Sequence, residues 1–120
     1  MRTDAVLDPA AIALLRTLDE QKPGSFRDFV RMFVTEAPDR VKKIEFAYAA
    51  NNGDELSQHA HYLRSACLAL GAGQLAATCH DLEHLDPQTI SQANTDLHLA
   101  PLHERLREAM IALLELAEAS

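Results

Sequence analysis

Residues 60–83, "AHYLRSACLALGAGQLAATCHDLE", contain two runs of apolar residues at helical spacing, separated by Gly-Ala-Gly. The first run begins slightly upstream, and its apolar positions alternate between spacings of four and three: Leu56, Ala60, Leu63, Cys67 and Leu70. The second run has a similar pattern: Leu75, Thr78, Leu82 and Leu85. Such spacing places the residues on one face of an α-helix. The stretch therefore predicts two helices joined by a tight turn at residues 71–73.

The sequence upstream predicts two further helices. Asp8 and Pro9 are residue types that begin a helix, and apolar residues on one face follow them: Ile12, Leu15 and Leu18. Ser25 is expected to cap the next helix. The apolar face of that helix is formed by Phe26, Phe29, Val30 and Phe33 and, after Pro38, by Val41, Ile44 and Tyr48. One long helix with a kink near Pro38 is therefore predicted.

The connections and the C-terminal segment complete the predicted fold. The sequence "NNGD", residues 51–54, is expected to end the long helix with Gly53 in its C-terminal turn, and Asp54 is expected to cap the following helix. Residues 86–96 are polar and are predicted to form the longest loop, followed by a helix from about Leu97 or Pro101 to Ala117. The predicted fold class is all-α: an antiparallel four-helix bundle with an additional short N-terminal helix, in one domain of residues 1–120.

The composition is typical of a soluble globular domain. Of the 120 residues, 48% are hydrophobic and 24% are charged, and the formal net charge is −7. A nucleic acid is not an expected partner, because the charge is negative and no basic stripe is present. The N-terminal residues lack the apolar segment of a signal peptide, and no run approaches the ~18 apolar residues that a membrane span needs. We expect a cytoplasmic protein in which Cys67 and Cys79 are buried, reduced thiols.

Two histidines lie two residues apart on the third predicted helix, and a helical wheel separates them. His59 falls about 60° from the centre of the apolar face, so it flanks the core, whereas His61 falls about 140° away, close to the opposite face. The two side chains therefore diverge and cannot easily share a metal ion. The neighbours of His61 on the outer face are Ser57, Arg64, Ser65 and Leu68.

The outer face could carry phosphoryl chemistry. A neutral imidazole with solvent access is a good nucleophile toward phosphorus, and its product carries about two negative charges that favour a nearby cation. Arg64 lies one turn from His61 and is the only Lys or Arg between Lys43 and Arg105. A solvated helix face with no chemical role gives the same pattern, so these residues alone leave both interpretations open.

The motif of residues 60–83 resembles that of histidine phosphotransfer (HPt) domains of multistep phosphorelays. The family pattern has an alanine-histidine pair, a leucine, a basic residue, small residues, a leucine-glycine-alanine turn and a helix that ends in cysteine-x-x-leucine-glutamate. The matching residues are Ala60, His61, Leu63, Arg64, Ala66, Leu70, Gly71, Ala72, Leu75, Cys79, Leu82 and Glu83. The similarity extends over about residues 6–86.

This resemblance implies a four-helix bundle whose histidine accepts a phosphoryl group from the aspartate of one receiver domain and yields it to another. His61 then corresponds to the phosphoacceptor, reacting through Nε2, and Arg64 to the basic residue that holds the phosphoryl oxygens. Glu83 corresponds to a position that accepts a hydrogen bond from Nδ1–H. Ser57, Ser65 and Leu68 are expected in the docking face, although Ser65 replaces the usual glycine of the family.

The resemblance also implies partners and cofactors. The expected partners are response-regulator receiver domains and a hybrid sensor histidine kinase, and the chain is expected to be a monomer. No enzymatic activity of its own and no cofactor are expected, because Mg²⁺ is supplied by the receiver and no glycine-rich phosphate loop is present.

Alternative interpretations remain at this stage. The chain could be the dimerisation and phosphoacceptor module of a histidine kinase, although Tyr62 stands where an acidic residue typically follows the histidine. It could also be a bundle that binds receivers without efficient transfer, which Ser65 keeps open. His80 and His84 have the i, i+4 spacing of a metal-binding pair, but no third ligand of convincing spacing follows them, so no metal site is predicted.

Overall fold

A computed structural model describes residues 6–119 and shows an all-α fold, as predicted. Its helices are α1 (Pro9–Gln21), α2 (Ser25–Ala49), α3 (Gly53–Ala69), α4 (Gly73–Glu83) and α5 (Thr95–Ala119), with short 3₁₀ turns at Pro87–Thr89 and Gln92–Asn94. The ends of the predicted domain 1–120, residues 1–5 and 120, lie outside the described residues. Among residues 6–119, none of the helices is long and apolar enough to cross a membrane.

Helices α2–α5 form a four-helix bundle, and α1 lies on the outside of this bundle. Helix α3 packs between α2 and α4, and α5 closes the ring by packing against α2 and α4, while α1 packs mainly on α2. The apolar faces expected from the sequence meet in one core, whose most completely buried large side chains include Phe26, Ile44, Leu56, Leu63, Leu75, Leu102 and Leu113. The four-helix bundle with an additional N-terminal helix is thereby confirmed.

Helix α2 runs through Pro38 as one helix of 25 residues, which confirms the single long helix. Its start differs from the prediction. Gly24, with a left-handed φ of 91°, is the N-cap residue, and Ser25 is the first helical residue, with its buried hydroxyl oxygen lacking a hydrogen-bond partner. The carboxylate of Asp19 accepts hydrogen bonds from the backbone N–H groups of Gly24 and Phe26, each at 3.1 Å. The capping oxygen therefore comes from α1, and the prediction of Ser25 as the cap was wrong.

The predicted capping residues of the α2–α3 connection were also wrong. The residue with a left-handed φ, 56°, is Asn51, and Gly53 is already the first residue of α3. The side chain of Asn52, rather than Asp54, accepts a hydrogen bond from the backbone N–H of Glu55 at 3.1 Å. Asp54 lies in the first turn, where a negative charge favours the helix dipole.

The segment after α4 is more ordered than the predicted loop. It contains the two 3₁₀ turns, and Ile90 between them is buried in the core. The hydroxyl of Tyr48, on α2, donates to the backbone carbonyl of Ser91 at 3.1 Å and holds the segment against the bundle. Helix α5 begins at Thr95, earlier than predicted, and includes Pro101.

The turn between α3 and α4 fixes the position of α1. Gly71 has a φ of 77°, and its carbonyl accepts a hydrogen bond of 2.6 Å from the backbone N–H of Asp8, the N-cap residue of α1. A Cβ atom added at Gly71 would lie 3.0 Å from the Cβ of Ala11 and 3.3 Å from the Asp8 carbonyl oxygen. Both the left-handed backbone and the contact with α1 therefore require glycine here.

We predict that Gly71→Ala lowers the free energy of unfolding by about 1–3 kcal/mol, because it adds backbone strain and crowds Ala11. Urea denaturation measures this change. Gly73→Ala is the matched control, since Gly73 has no positive φ and nothing within 4 Å of an added Cβ. Equal loss of stability in the two variants would contradict the assigned role of Gly71.

Candidate functional site

The centre of the site is a contact between His61 on α3 and Glu83 at the end of α4. The imidazole of His61 is 57% exposed, and its Nδ1 lies 2.9 Å from Oε2 of Glu83. Because an ionised carboxylate can only accept, Nδ1 carries the proton of this hydrogen bond. In the neutral ring, Nε2 then has a free lone pair.

Arg64, one turn further along α3, completes a three-residue cluster. Its Nε donates to Oε1 of Glu83 at 2.9 Å, so the two carboxylate oxygens are shared between His61 and Arg64. The guanidinium Nη2 also lies 3.2 Å from Nδ1 of His61. Both atoms are donors when Nδ1 is protonated, so this distance is a close approach rather than a second hydrogen bond. The guanidinium therefore lies beside the ring that would carry the phosphoryl group.

The carboxylate of Glu83 is held in its charged form. Partial burial opposes ionisation, but the hydrogen bonds from His61 and Arg64 and the charge of Arg64 outweigh it, so the pKa of Glu83 is lower than usual. The structure thus brings together His61, Arg64 and Glu83, three residues that lie up to 22 positions apart in the sequence. This arrangement can hold one imidazole tautomer and place a positive charge beside it.

The two serines near the site are bonded to the backbone. Ser57 is half-buried, and its hydroxyl donates to the carbonyl oxygen of Glu83 at 2.9 Å. This contact ties α3 to the end of α4 and helps to position Glu83, while the docking role expected of Ser57 stays a prediction. Ser65 is exposed one turn after His61, and its hydroxyl donates to the carbonyl oxygen of His61 at 3.2 Å.

Most of the chain matches a known family. Residues 28–116 match the family model described as the Hpt domain. The chain belongs to the Hpt domain family. All three members of the cluster, His61, Arg64 and Glu83, lie within the matched residues.

A curated protein and a solved structure illustrate what this Hpt domain is similar to. The phosphorelay intermediate protein YPD1 of Candida albicans is 23% identical over 84 residues, which cover 70% of this chain and 46% of YPD1. The aligned region thus spans about half the length of that curated relative. The crystal structure of histidine-containing phosphotransfer protein B (HptB) from Pseudomonas aeruginosa PAO1 superposes with a TM-score of 0.82 at 18% identity, covering 98% of this chain and 99% of HptB. The latter similarity shows the common fold.

An apolar groove of about 530 Å³ runs along α1, α2 and α3 of the Hpt domain. Its exposed apolar walls are Leu14 and Leu18 of α1, Phe29 and Met32 of α2, and Leu68 of α3. The exposed position predicted for Leu68 is confirmed, whereas Leu18 and Phe29, predicted to face the core, are each 43% exposed. Leu14 and Leu18 at i, i+4, and Phe29 and Met32 at i, i+3, form second apolar stripes that could have revealed the groove.

His59 has a structural setting that differs from that of His61. It is half-buried, and its Nδ1 accepts a hydrogen bond of 2.9 Å from Nη1 of Arg40 on α2. Burial first, and then the charge of Arg40, lower the pKa of His59. Arg40 also stacks over the ring of Tyr62, 4.1 Å from its centroid. His59 thus belongs to the α2–α3 contact, and Arg40 and Tyr62 are partners that the sequence did not indicate.

The two cysteines of the Hpt domain lie in the core. Cys67 and Cys79 are free thiols, both fully buried, as expected from the sequence. The contact with Cys79 and burial both raise the pKa of the Cys67 thiol. Because both thiols are buried away from solvent, neither is positioned as a nucleophile.

We predict that Glu83→Ala removes the preference of the neutral His61 ring for the Nδ1–H tautomer, because the acceptor at 2.9 Å is lost. The imidazole ¹⁵N signals in NMR spectra report the tautomer. Glu83→Gln should preserve the preference, since its amide oxygen can still accept. Asp81→Ala, which removes an exposed carboxylate from the same helix, is the control. An unchanged tautomer in Glu83→Ala would contradict the positioning role.

Proposed function

We propose that this Hpt domain is a phosphoryl carrier of a two-component phosphorelay. Nε2 of His61 attacks the phosphorus of an aspartyl phosphate on a receiver domain, the N–P bond forms, and the P–O bond to the aspartate carboxylate breaks. Transfer to the aspartate of a second receiver reverses these steps. The observation that carries the proposal is the Nδ1 contact with Glu83 on an exposed helix face, which leaves Nε2 as the nucleophile.

The cluster supports this reaction electrostatically. Attack through Nε2 leaves the ring positively charged, with the proton still on Nδ1, and the carboxylate of Glu83 stabilises that charge without receiving the proton. Arg64 lies at the same ring and can pair with the phosphoryl oxygens. A charge-assisted hydrogen bond of this kind contributes roughly 1.5–3 kcal/mol. The chain's own residues thus supply the nucleophile, its orientation and one positive charge.

The apolar groove and the face around His61 form the proposed docking surface for receivers. Leu68 belongs to the groove and lies two turns after His61 on α3. We expect the receiver to bring its own Mg²⁺, so the Hpt domain needs no cofactor and has no enzymatic activity of its own. A hybrid sensor histidine kinase is the proposed phosphoryl source, and such a relay operates in the cytoplasm.

One alternative proposal is favoured by a specific observation. Ser65 is exposed one turn after His61, at the position where the family usually has glycine, and its side chain could hinder the approach of a receiver. A bundle that binds receivers without efficient transfer would then result. The kinase dimerisation module is less favoured, because helices α2–α5 of a single chain already close the bundle.

We predict that His61→Gln folds normally but accepts no phosphoryl group from a panel of radiolabelled phosphorylated receivers. The exposed ring contributes nothing to the core, so circular dichroism and thermal melting should be unchanged. His59→Gln, the matched control, should still become labelled. If His61→Gln still becomes labelled, His61 is not the phosphoacceptor. If the wild-type chain binds receivers but does not become labelled, the alternative of a receiver-binding bundle without efficient transfer is favoured.

Substitutions of two leucines on α3, one buried and one exposed, distinguish a role in core packing from a role in docking. Leu63 is 2% exposed, so Leu63→Ala should cost ~2–5 kcal/mol of stability. Leu68 is 55% exposed, so Leu68→Ala should change stability by only about ±0.5 kcal/mol. We expect Leu68→Ala to weaken receiver binding by more than ~1 kcal/mol. Thermal melts and receiver titrations measure both effects, with the exposed Leu97 on α5 as control site (Leu97→Ala). Unchanged receiver affinity in Leu68→Ala would contradict the docking surface.

A further inference from the structure

Three potential metal ligands meet at the C-terminal end of α4. His80, Glu83 and His84 each place a ligand atom within 4.8 Å of the others' ligand atoms. Their spacing of i, i+3 and i+4 puts them on one side of the helix, and both histidines are exposed. The sequence alone predicts no metal site, because no third ligand follows the histidine pair. The third ligand lies between the two histidines.

The tautomer of His84 is fixed by a hydrogen bond to the backbone. Nδ1 of His84 lies 3.0 Å from the carbonyl oxygen of His80, so it donates its proton there and the ring leaves Nε2 with a free lone pair. A backbone carbonyl commonly fixes the tautomer of a metal-binding histidine in this way. The two rings lie close together, with centroids 4.3 Å apart.

Apart from Arg64, which is paired with Glu83, the charge around the cluster favours a cation. The C-terminal end of a helix carries a partial negative charge, and the exposed carboxylates of Asp81 and Asp86 lie next to the cluster in sequence. Two imidazoles and one carboxylate suit Zn²⁺ and similar transition-metal ions, whereas Mg²⁺ prefers a set of oxygen ligands. A zinc ion at about 2.0–2.2 Å from each ligand requires the three atoms to approach one another. The exposed rings can achieve this by rotating about their side-chain bonds.

We propose that His80, Glu83 and His84 bind one transition-metal ion of the zinc class, and that this ion competes with His61 and Arg64 for the carboxylate of Glu83. Both oxygens of Glu83 are engaged, Oε2 with His61 and Oε1 with Arg64. A metal ion on Glu83 therefore shares an oxygen with one of these contacts, and its positive charge makes that oxygen a poorer hydrogen-bond acceptor. The consequence for phosphotransfer rests on the proposed function: metal binding at α4 slows the reaction of His61 on α3.

Zinc chloride titrated into the full chain, free of any affinity tag, tests the site by calorimetry. We expect one Zn²⁺ per chain, with affinity about tenfold or more lower in His80→Ala and in His84→Ala. His103→Ala is the matched control, because His103 is also exposed and also contacts a carboxylate, that of Glu45, and it should bind zinc like the wild type. No binding by the wild type, or an equal loss in all three variants, would overturn the proposal. Competition by Mg²⁺ at comparable concentration would also overturn it.

The competition for Glu83 has its own test. Zinc should shift the imidazole ¹⁵N signals of His61 in the wild type but leave them unchanged in the His80→Ala/His84→Ala double variant. Unshifted signals in the zinc-bound wild type would overturn the competition.

A third measurement follows phosphorylation by phosphoramidate, a small donor that loses ammonia as the Nε2–P bond forms. Zinc should slow labelling of the wild type several-fold and leave the double variant at the rate that the wild type has without zinc. Equal slowing of both proteins would overturn the regulatory role. If the wild type is not labelled even without zinc, the proposed carrier function is wrong, and the titration and the ¹⁵N signals still decide the metal site.

Discussion

The close packing of α3 against α4 is the constraint on which the site depends. His61 and Glu83 lie on different helices, and a hydrogen bond of 2.9 Å between them exists only if the two helices keep their distance and rotation. The buried side chains of Cys67 on α3 and Cys79 on α4 belong to the shared core, and the hydrogen bond from Ser57 to the Glu83 carbonyl ties the two helices together at the end of α4. The orientation of the His61 imidazole therefore depends on how α3 and α4 pack together, and not on α3 alone.

The turn at Gly71 allows α3 and α4 to pack side by side although only a few residues connect them. Gly71 reverses the chain with a left-handed backbone, so that α4 begins two residues later, at Gly73. The same turn receives α1 through the hydrogen bond to Asp8. One short segment thus sets both the α3–α4 pair, which carries the chemistry, and the position of α1, which forms one wall of the apolar groove.

The sequence was sufficient where one helix alone determines the answer. The helical wheel distinguished His61 from His59 and Leu68 from Leu63, because orientation about an axis follows directly from residue spacing. Prediction from the sequence failed where the position of a residue depends on a second helix. Asp19 reaches from α1 to cap α2, which no local pattern around Ser25 reveals. The exposure of Leu18 and Phe29 depends on how α1 lies on α2, and the contact of Glu83 with His61 followed from the family resemblance rather than from spacing.

The anchoring of α1 has a consequence for the energetics of binding. Helix α1 packs mainly on one neighbour and is joined to the α3–α4 turn by one backbone hydrogen bond, so we expect it to unfold locally at a lower cost than helices α2–α5. Leu14 and Leu18 would leave the groove in that opened state. A molecule that occupies the groove binds only the closed state and therefore stabilises α1 by mass action. Affinity at the groove and slow amide exchange in α1 are thus two measures of one local folding equilibrium.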